Sequence, residues 1–207
     1  MCTPYTYACT LYAMSKNRIF SAARTVLEQE GIVGLSMRRI AQESGMSPMS
    51  LYRHFADKDA LLNALMADGL VAWEERVRAI RAKAPLQWLE RLTDEFLVFA
   101  LEEPHRFDAA FFLPAPKARQ YPDDFAAGRS PVIAMTVAKI DQARAEGLLG
   151  DTPAFDVALT LSALAQGLIS MYRARRFSGE AEFAALYRSV MRKSLKSLSI
   201  GPVGKSK

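Results

Sequence analysis

The chain has 207 residues, half of them apolar, a mean hydropathy of zero and a formal charge of +5. That length and balance suit one substantial core, or a small domain attached to a larger one, and exclude a disordered or low-complexity chain. No apolar run reaches the length of a bilayer crossing and no basic stretch leads an apolar one at the start, so neither a membrane span nor a secretory signal is expected, and a cytoplasmic protein is the reading.

Both cysteines, Cys2 and Cys9, fall in a leading stretch without helical periodicity. They are too few for a disulfide framework, and without neighbouring histidine they make no zinc site. Ser15 follows Met14 directly and is a good helix cap, so residues 1–14 read as a disordered extension ahead of the first helix, or as the product of a start upstream of the native one at Met14. Residues 15–30 then place Ile19, Ala22, Ala23, Val26 and Leu27 on one stripe, which ends at Gly31.

Leu35 to Lys58, LSMRRIAQESGMSPMSLYRHFADK, is the most informative part of the chain. Ser36 caps a helix whose inward residues are Met37, Ile40 and Ala41. Gly45 stands where that helix must stop in a left-handed conformation that other residues adopt only at a cost. Ser47 and Pro48 form a second start signal, since a hydroxyl accepts an orphan N–H and proline at the first position gives up a donor that had no partner. On this second helix Leu51 and Phe55 are four apart and pack inward, leaving Pro48, Met49, Ser50, Tyr52 and Arg53 on the flanks and exterior. Asp57 caps a third helix, and Lys58 in its first turn opposes the helix dipole unless a phosphate is bound there. Two short helices around a glycine turn, with an aromatic and basic edge on the second, are how a protein presents a helix to the major groove of DNA.

From about Ser15 to Leu62 the sequence resembles the DNA-binding domain of the TetR family of bacterial transcriptional regulators, most densely in S-M-R-R-I-A-x-x-S-G-M-S-x-x-S-L-Y-R-H-F-x-x-K. The resemblance implies that the first helix supports the motif and that Arg38 lies on the positioning helix. It further implies that Pro48, Met49 and Ser50 face base edges and that Tyr52, His54 and Lys58 contact phosphates. With Ser36 and Arg53 these residues form the expected DNA-binding set.

Charge does not carry that expectation. Leu35 to Lys58 holds Arg38, Arg39, Arg53 and Lys58 against Glu43 and Asp57, whereas Glu180 to Lys207 holds six basic residues against two acidic ones. The far end is the more basic, which reads as a solvated surface running into a basic disordered tail at 200–207. DNA affinity must rest on placement.

Beyond the motif nearly everything reads as helix, with no strand pattern and no repeat. A long helix from Lys58 carries Leu61, Leu62, Leu65, Leu70, Trp73 and Val77. Trp88, Leu89, Leu92, Phe96 and Phe99 define another, stopped by Pro104. A short helical piece over 105–112 precedes a loop punctuated by Pro114, Pro116 and Pro122. Pro131 opens a helix that ends near Gly147, and Thr152 with Pro153 opens the next. This helix, 153–177, is apolar around most of its circumference, and its successor, 180–198, carries a strong stripe in Phe183, Leu186, Tyr187, Val190, Met191 and Leu195. In so small a chain the simplest cover is a second copy of both helices, a two-fold four-helix interface that the TetR resemblance also implies.

Between residues 85 and 172 aromatic and methionine side chains mix with isolated polar groups. Trp88, Phe96, Phe99, His105, Phe107, Phe111, Met135, Gln166 and Ser170 are the candidate effector-binding set, and Gln166 stands out because an amide in apolar surroundings needs partners.

The expected fold is all-α, with a three-helix DNA-binding domain over 15–60 and a larger helical domain for effector binding and dimerisation over 61–199. The expected function is a homodimeric repressor on a palindromic operator, released by a small hydrophobic or amphipathic effector, with no cofactor and no metal. An enzyme is disfavoured, because His54 and His105 lie in different segments and no nucleophile elbow, phosphate loop or metal spacing is present. The alternative is a helical protein–protein adaptor that has lost operator binding.

Overall fold

The computed structural model describes residues 4–198; residues 1–3, Cys2 among them, and the expected basic tail at 200–207 lie outside the described residues. The described residues form ten helices: α1 Pro4–Gly34, α2 Met37–Ser44, α3 Pro48–Tyr52, α4 Lys58–Ala79, α5 Pro85–Glu102, α6 Pro104–Phe111, α7 Asp123–Ala126, α8 Pro131–Ala145, α9 Ala154–Arg173 and α10 Glu180–Leu198.

Contacts divide the chain into two compact units. One runs up to Asp68 and takes in Leu113–Ala118; the other holds Gly69–Phe112 and the chain from Arg119 on. The division therefore falls inside α4, some way past the boundary expected at residue 60, because the first half of that helix packs with the motif and the second half with the larger core.

In the first unit, α1 lays Ile19, Phe20, Ala22, Ala23 and Val26 against the buried Met37, Ile40 and Ala41 of α2. The helix starts at Pro4 and not at Ser15, so residues 4–14, expected as an extension, continue it upstream. It is broken at Gly31, whose φ of 67° no L-residue adopts cheaply, where the sequence had placed its end. Phe20 stacks on Phe55 with ring centroids 5.9 Å apart, tying the turn after α3 to the supporting helix. The backbone N–H of Lys117 donates to Asn63 Oδ1 at 2.8 Å, so the proline-punctuated loop is held to the front of α4.

The second unit is built on a core drawn from α4, α5, α6, α8, α9 and α10. Trp73, Phe96, Phe99, Phe107 and Phe111 pack ring on ring, with centroids 4.8 Å apart for Phe96 and Phe107 and 5.1 Å for Trp73 and Phe96. The Tyr187 hydroxyl donates to the Thr93 carbonyl at 3.1 Å, satisfying the polar end of an otherwise buried ring. Its phenol is raised well above its ordinary value by burial and then by the charge of Asp94. Gly69 lies where α4 meets α6, and a Cβ there would fall on the Arg106 carbonyl and within 2.9 Å of the Ala110 Cβ.

Three expectations need correction. The helix expected over 153–177 ends at Arg173, because the chain turns through Arg175 at a φ of 56°. It begins without a side-chain cap from Thr152, Pro153 occupying the cap position. And with 20 residues at a mean hydropathy of 1.4, α9 is long and apolar enough in composition to cross a bilayer, which no run was expected to be. Its apolarity has a use in the fold, since Val157, Ala158, Leu161, Ala165, Leu168 and Ile169 are buried where α9 meets α5, α8 and α10.

Candidate functional site

The reading helix is built from its caps. Ser36 Oγ accepts the Arg39 N–H at 3.2 Å and opens α2. Gly45 closes it at φ 61°, its own N–H bonded back to the Gln42 carbonyl at 3.1 Å. Ser47 Oγ then accepts the Ser50 N–H at 3.1 Å, with Pro48 at the first position of α3. Asp57 Oδ1 accepts the Ala60 N–H at 2.7 Å and starts α4. Each cap satisfies a donor that the helix end leaves open, so short helices that are marginal alone are held in place.

Packing decides which side chains point out. Leu51 is fully buried and Phe55 nearly so, and these two anchor α3; Met49 is 74% exposed and Tyr52 51%. Pro48 and Arg53 are exposed as well, and Ser50 is half-buried, bonded through its hydroxyl to Ser47. On α2 the two consecutive arginines differ. Arg39 donates to Glu30 at 2.7 Å and to Glu43 at 2.9 Å, whereas Arg38 is exposed. Its hydrogen bonds to the Glu30 and then the Glu43 carboxylate raise the Arg39 guanidinium above its ordinary value. Lys58 is half-buried in the first turn of α4. His54 is half-buried at the end of α3; burial and then the charge of Arg53 lower its imidazole below the ordinary 6.5, so it is neutral at neutral pH.

Ser36, Arg38, Pro48, Met49, Ser50, Tyr52, Arg53, His54 and Lys58 therefore all lie within the α2, α3 and early α4 segment of one unit. Sequence reasoning did not single out a groove of about 320 Å³ on the same unit, lined by Arg18, Ser21, Thr25, Gln42 and Glu43 beside Gly45. Arg18 and Ser21 face outward from α1 with no motif to mark them, and only the packing of α1 on α2 brings them to Gln42.

The residues expected to bind an effector divide into three environments. Trp88, Phe96, Phe99 and Phe107 are buried; His105, Phe111, Met135 and Gln166 are half-buried; Ser170 is exposed on α9. The phenylalanine rings are each other's packing partners. Polar groups surround one end of α6: Asp108 accepts from Arg173 Nε at 3.2 Å, and Arg173 also donates to the Ala100 carbonyl at 2.7 Å. Burial raises the Asp108 carboxyl, against the opposing pull of Arg173 and then His105. Nearby, Arg76 bridges Glu95, Glu102 and Glu103, while Arg106 holds the other oxygen of Glu103 at 2.9 Å.

A capped two-helix unit joined by a left-handed glycine, with an exposed aromatic and basic edge on its second helix, defines a DNA-binding transcriptional regulator of the helix-turn-helix class. Residues 19–65 match the profile of the bacterial regulatory proteins of the tetR family, and residues 89–193 match the tetracyclin repressor-like C-terminal domain. The chain belongs to the TetR family.

Among relatives, the transcriptional repressor DrrR1 of Streptomyces coeruleorubidus is 42% identical over 53 residues, 26% of this chain and 20% of that protein. The transcriptional regulator UidR of Escherichia coli K12 is 36% identical over 52 residues, 25% of this chain and 26% of that protein. The chain is thus matched over only a fifth to a quarter of the length of these relatives. A TetR transcription regulator from Haloarcula marismortui shares the fold, with a TM-score of 0.72 at 23% identity, over 91% of this chain and all of that one.

Proposed function

We propose that the protein is a homodimeric repressor that binds a palindromic operator and is released from it by a small hydrophobic or amphipathic effector. The observation that carries this reading is the contrast along α3, where Leu51 is buried and its neighbour Tyr52 and near neighbour Met49 stand out in solvent. In this reading Pro48, Met49 and Ser50 meet base edges, with Ser36 and Arg38 beside them on α2. Tyr52, Arg53, His54 and Lys58 meet the phosphates. Base contacts select the sequence and phosphate contacts fix the register.

Dimerisation is supported by the outer faces of α9 and α10. Leu159, Met171 and Leu186 are large apolar side chains between 41% and 49% exposed. Gly167 sits within α9 and, among the described residues outside its own helix backbone, nothing lies within 4 Å of where its Cβ would be, so no close described neighbour accounts for a glycine that weakens the helix. A second helix pair approaching along this face accounts for both. Two subunits would then set their reading helices about 34 to 36 Å apart, in successive major grooves.

For release, an effector must bind the two arrangements of the dimer unequally, by about 1 to 3 kcal/mol. The expected set, Trp88, Phe96, Phe99, Phe107, Phe111 and Met135 with Gln166, His105 and Ser170 as its polar members, would suit a mainly apolar compound with few polar groups.

The test is a selection from random duplexes with the purified protein, followed by titration of the selected duplex at several salt concentrations. Wild type is expected to enrich a palindrome. Lys58→Ala is expected to weaken binding to all duplexes alike and to reduce the slope of log affinity on log salt by about one, and Tyr52→Ala to weaken it also. No enrichment, together with a protein partner recovered by pull-down, would favour an adaptor and end the operator reading.

A further inference from the structure

We propose that the groove between α1 and α2, with Arg18 at its mouth, is a second seat for a DNA backbone phosphate, separate from the Tyr52 and Lys58 edge. The inference rests on the operator reading and extends it to a face that the helix-turn-helix pattern does not mark.

Three observations carry it. The groove holds about 320 Å³ and its lining offers donors to an anion's oxygens in the Arg18 guanidinium, the Ser21 hydroxyl and the Gln42 amide, while the Thr25 hydroxyl donates to the Ser21 carbonyl at 3.2 Å. Arg18 lies over the turn itself, its Nη2 2.8 Å from where a Cβ of Gly45 would stand, so the glycine gives the guanidinium room as well as giving the chain its φ of 61°. Charge is the third. Glu43, the carboxylate that lines the groove, is engaged by Arg39 at 2.9 Å, and among the described residues no ion pair joins Arg18 to a carboxylate. Of the other arginines in this unit, Arg24 is engaged by Asp68 at 3.1 Å and Arg39 by Glu30 and Glu43, while Arg38 and Arg53 are exposed on α2 and at the end of α3.

Distance makes the reach feasible. Gly45 precedes Pro48, the first residue of α3, by three positions, a span of at most about 11 Å. A major groove about 12 Å wide carries phosphates on both lips, so a reading helix entering by its first turn brings a lip phosphate within a comparable distance of the turn. A fork of guanidinium donors binds phosphate in two places at once, and the Ser21 hydroxyl and Gln42 amide can donate to oxygens that remain.

The experiment compares wild type, Arg18→Gln and Arg18→Lys on the selected duplex and on an unrelated duplex of equal length, with thermal unfolding of each protein. Arg18→Gln is expected to weaken binding several-fold on both duplexes and to lower the salt slope by about one, with an unfolding temperature close to wild type. Arg18→Lys, which keeps the charge and loses the fork, is expected to keep the slope and lose part of the affinity. Binding by Arg18→Gln with wild-type affinity and slope overturns the inference. So does a loss of affinity that comes with lowered thermal stability and an unchanged slope, because Arg18 would then only brace the turn. If wild type itself selects no duplex, it is the operator reading that fails.

Discussion

Leu51 and Tyr52 are adjacent in the chain and opposite in environment, one fully buried and the other half exposed. A helix turns 100° per residue, so on a helix packed along one narrow stripe the residue after a core anchor is carried off that stripe toward solvent. The same logic separates Arg38 from Arg39, which the sequence treats alike. Only the fold brings Glu30 to Arg39 and leaves Arg38 exposed. His54 shows what burial adds. Because its folded value lies below 6.5, the folded protein binds fewer protons here than the unfolded chain, so the stability tied to this group is present above the ordinary value and is lost as pH falls below it. The His54 ring protons in an NMR titration are expected to move with a midpoint below 6.5, and a midpoint above it would contradict the buried, neutral imidazole.

Among the elements, α2, α3 and the start of α4 were legible because their signals are local: a hydroxyl cap, a glycine stop, a proline start and a carboxylate cap, each within three residues of what it caps. The ends of α9 and the short α7 were less legible. Nothing within the stretch after Arg173 requires Arg175 to turn at a positive φ, and α7 sits in a stretch where prolines suggested only loop. The crossing of α4 and α6 was not legible at all. Gly69 looks like an ordinary weak spot in a helix, yet its missing Cβ is what lets the Arg106 carbonyl approach. Gly69→Ala gains about 1 kcal/mol of helix propensity. Against that stands overpacking of about 1 to 3 kcal/mol, at the upper end here because a backbone carbonyl cannot rotate aside. Chemical denaturation is expected to show net destabilisation; an equal or more stable variant would mean that α6 gives way easily.

At the scale of the whole molecule, α4 belongs to both compact units, its front to Asp68 in one and the remainder in the other. An assembly through α9 and α10 makes a prediction of its own. Leu186 is 46% exposed in the single chain, so Leu186→Lys is expected to leave subunit stability within about 0.5 kcal/mol. Buried in a two-fold seam, the same charge would be unpaired. Sedimentation is therefore expected to show a single-subunit mass for Leu186→Lys and a doubled mass for wild type, with operator binding falling in parallel. A variant that remains dimeric would place the seam elsewhere. The sequence by itself determined the helices of the reading motif, their caps, the glycine turn and the outward face of α3, because hydrogen bonds to the next turn and a period of 3.6 residues act over a few positions. Only the tertiary structure decided which arginine is engaged, how α6 lies on Gly69, how the aromatic rings close on one another and which residues border the Arg18 groove. These depend on side chains far apart in the chain, whose meeting is set by packing and not by any local preference.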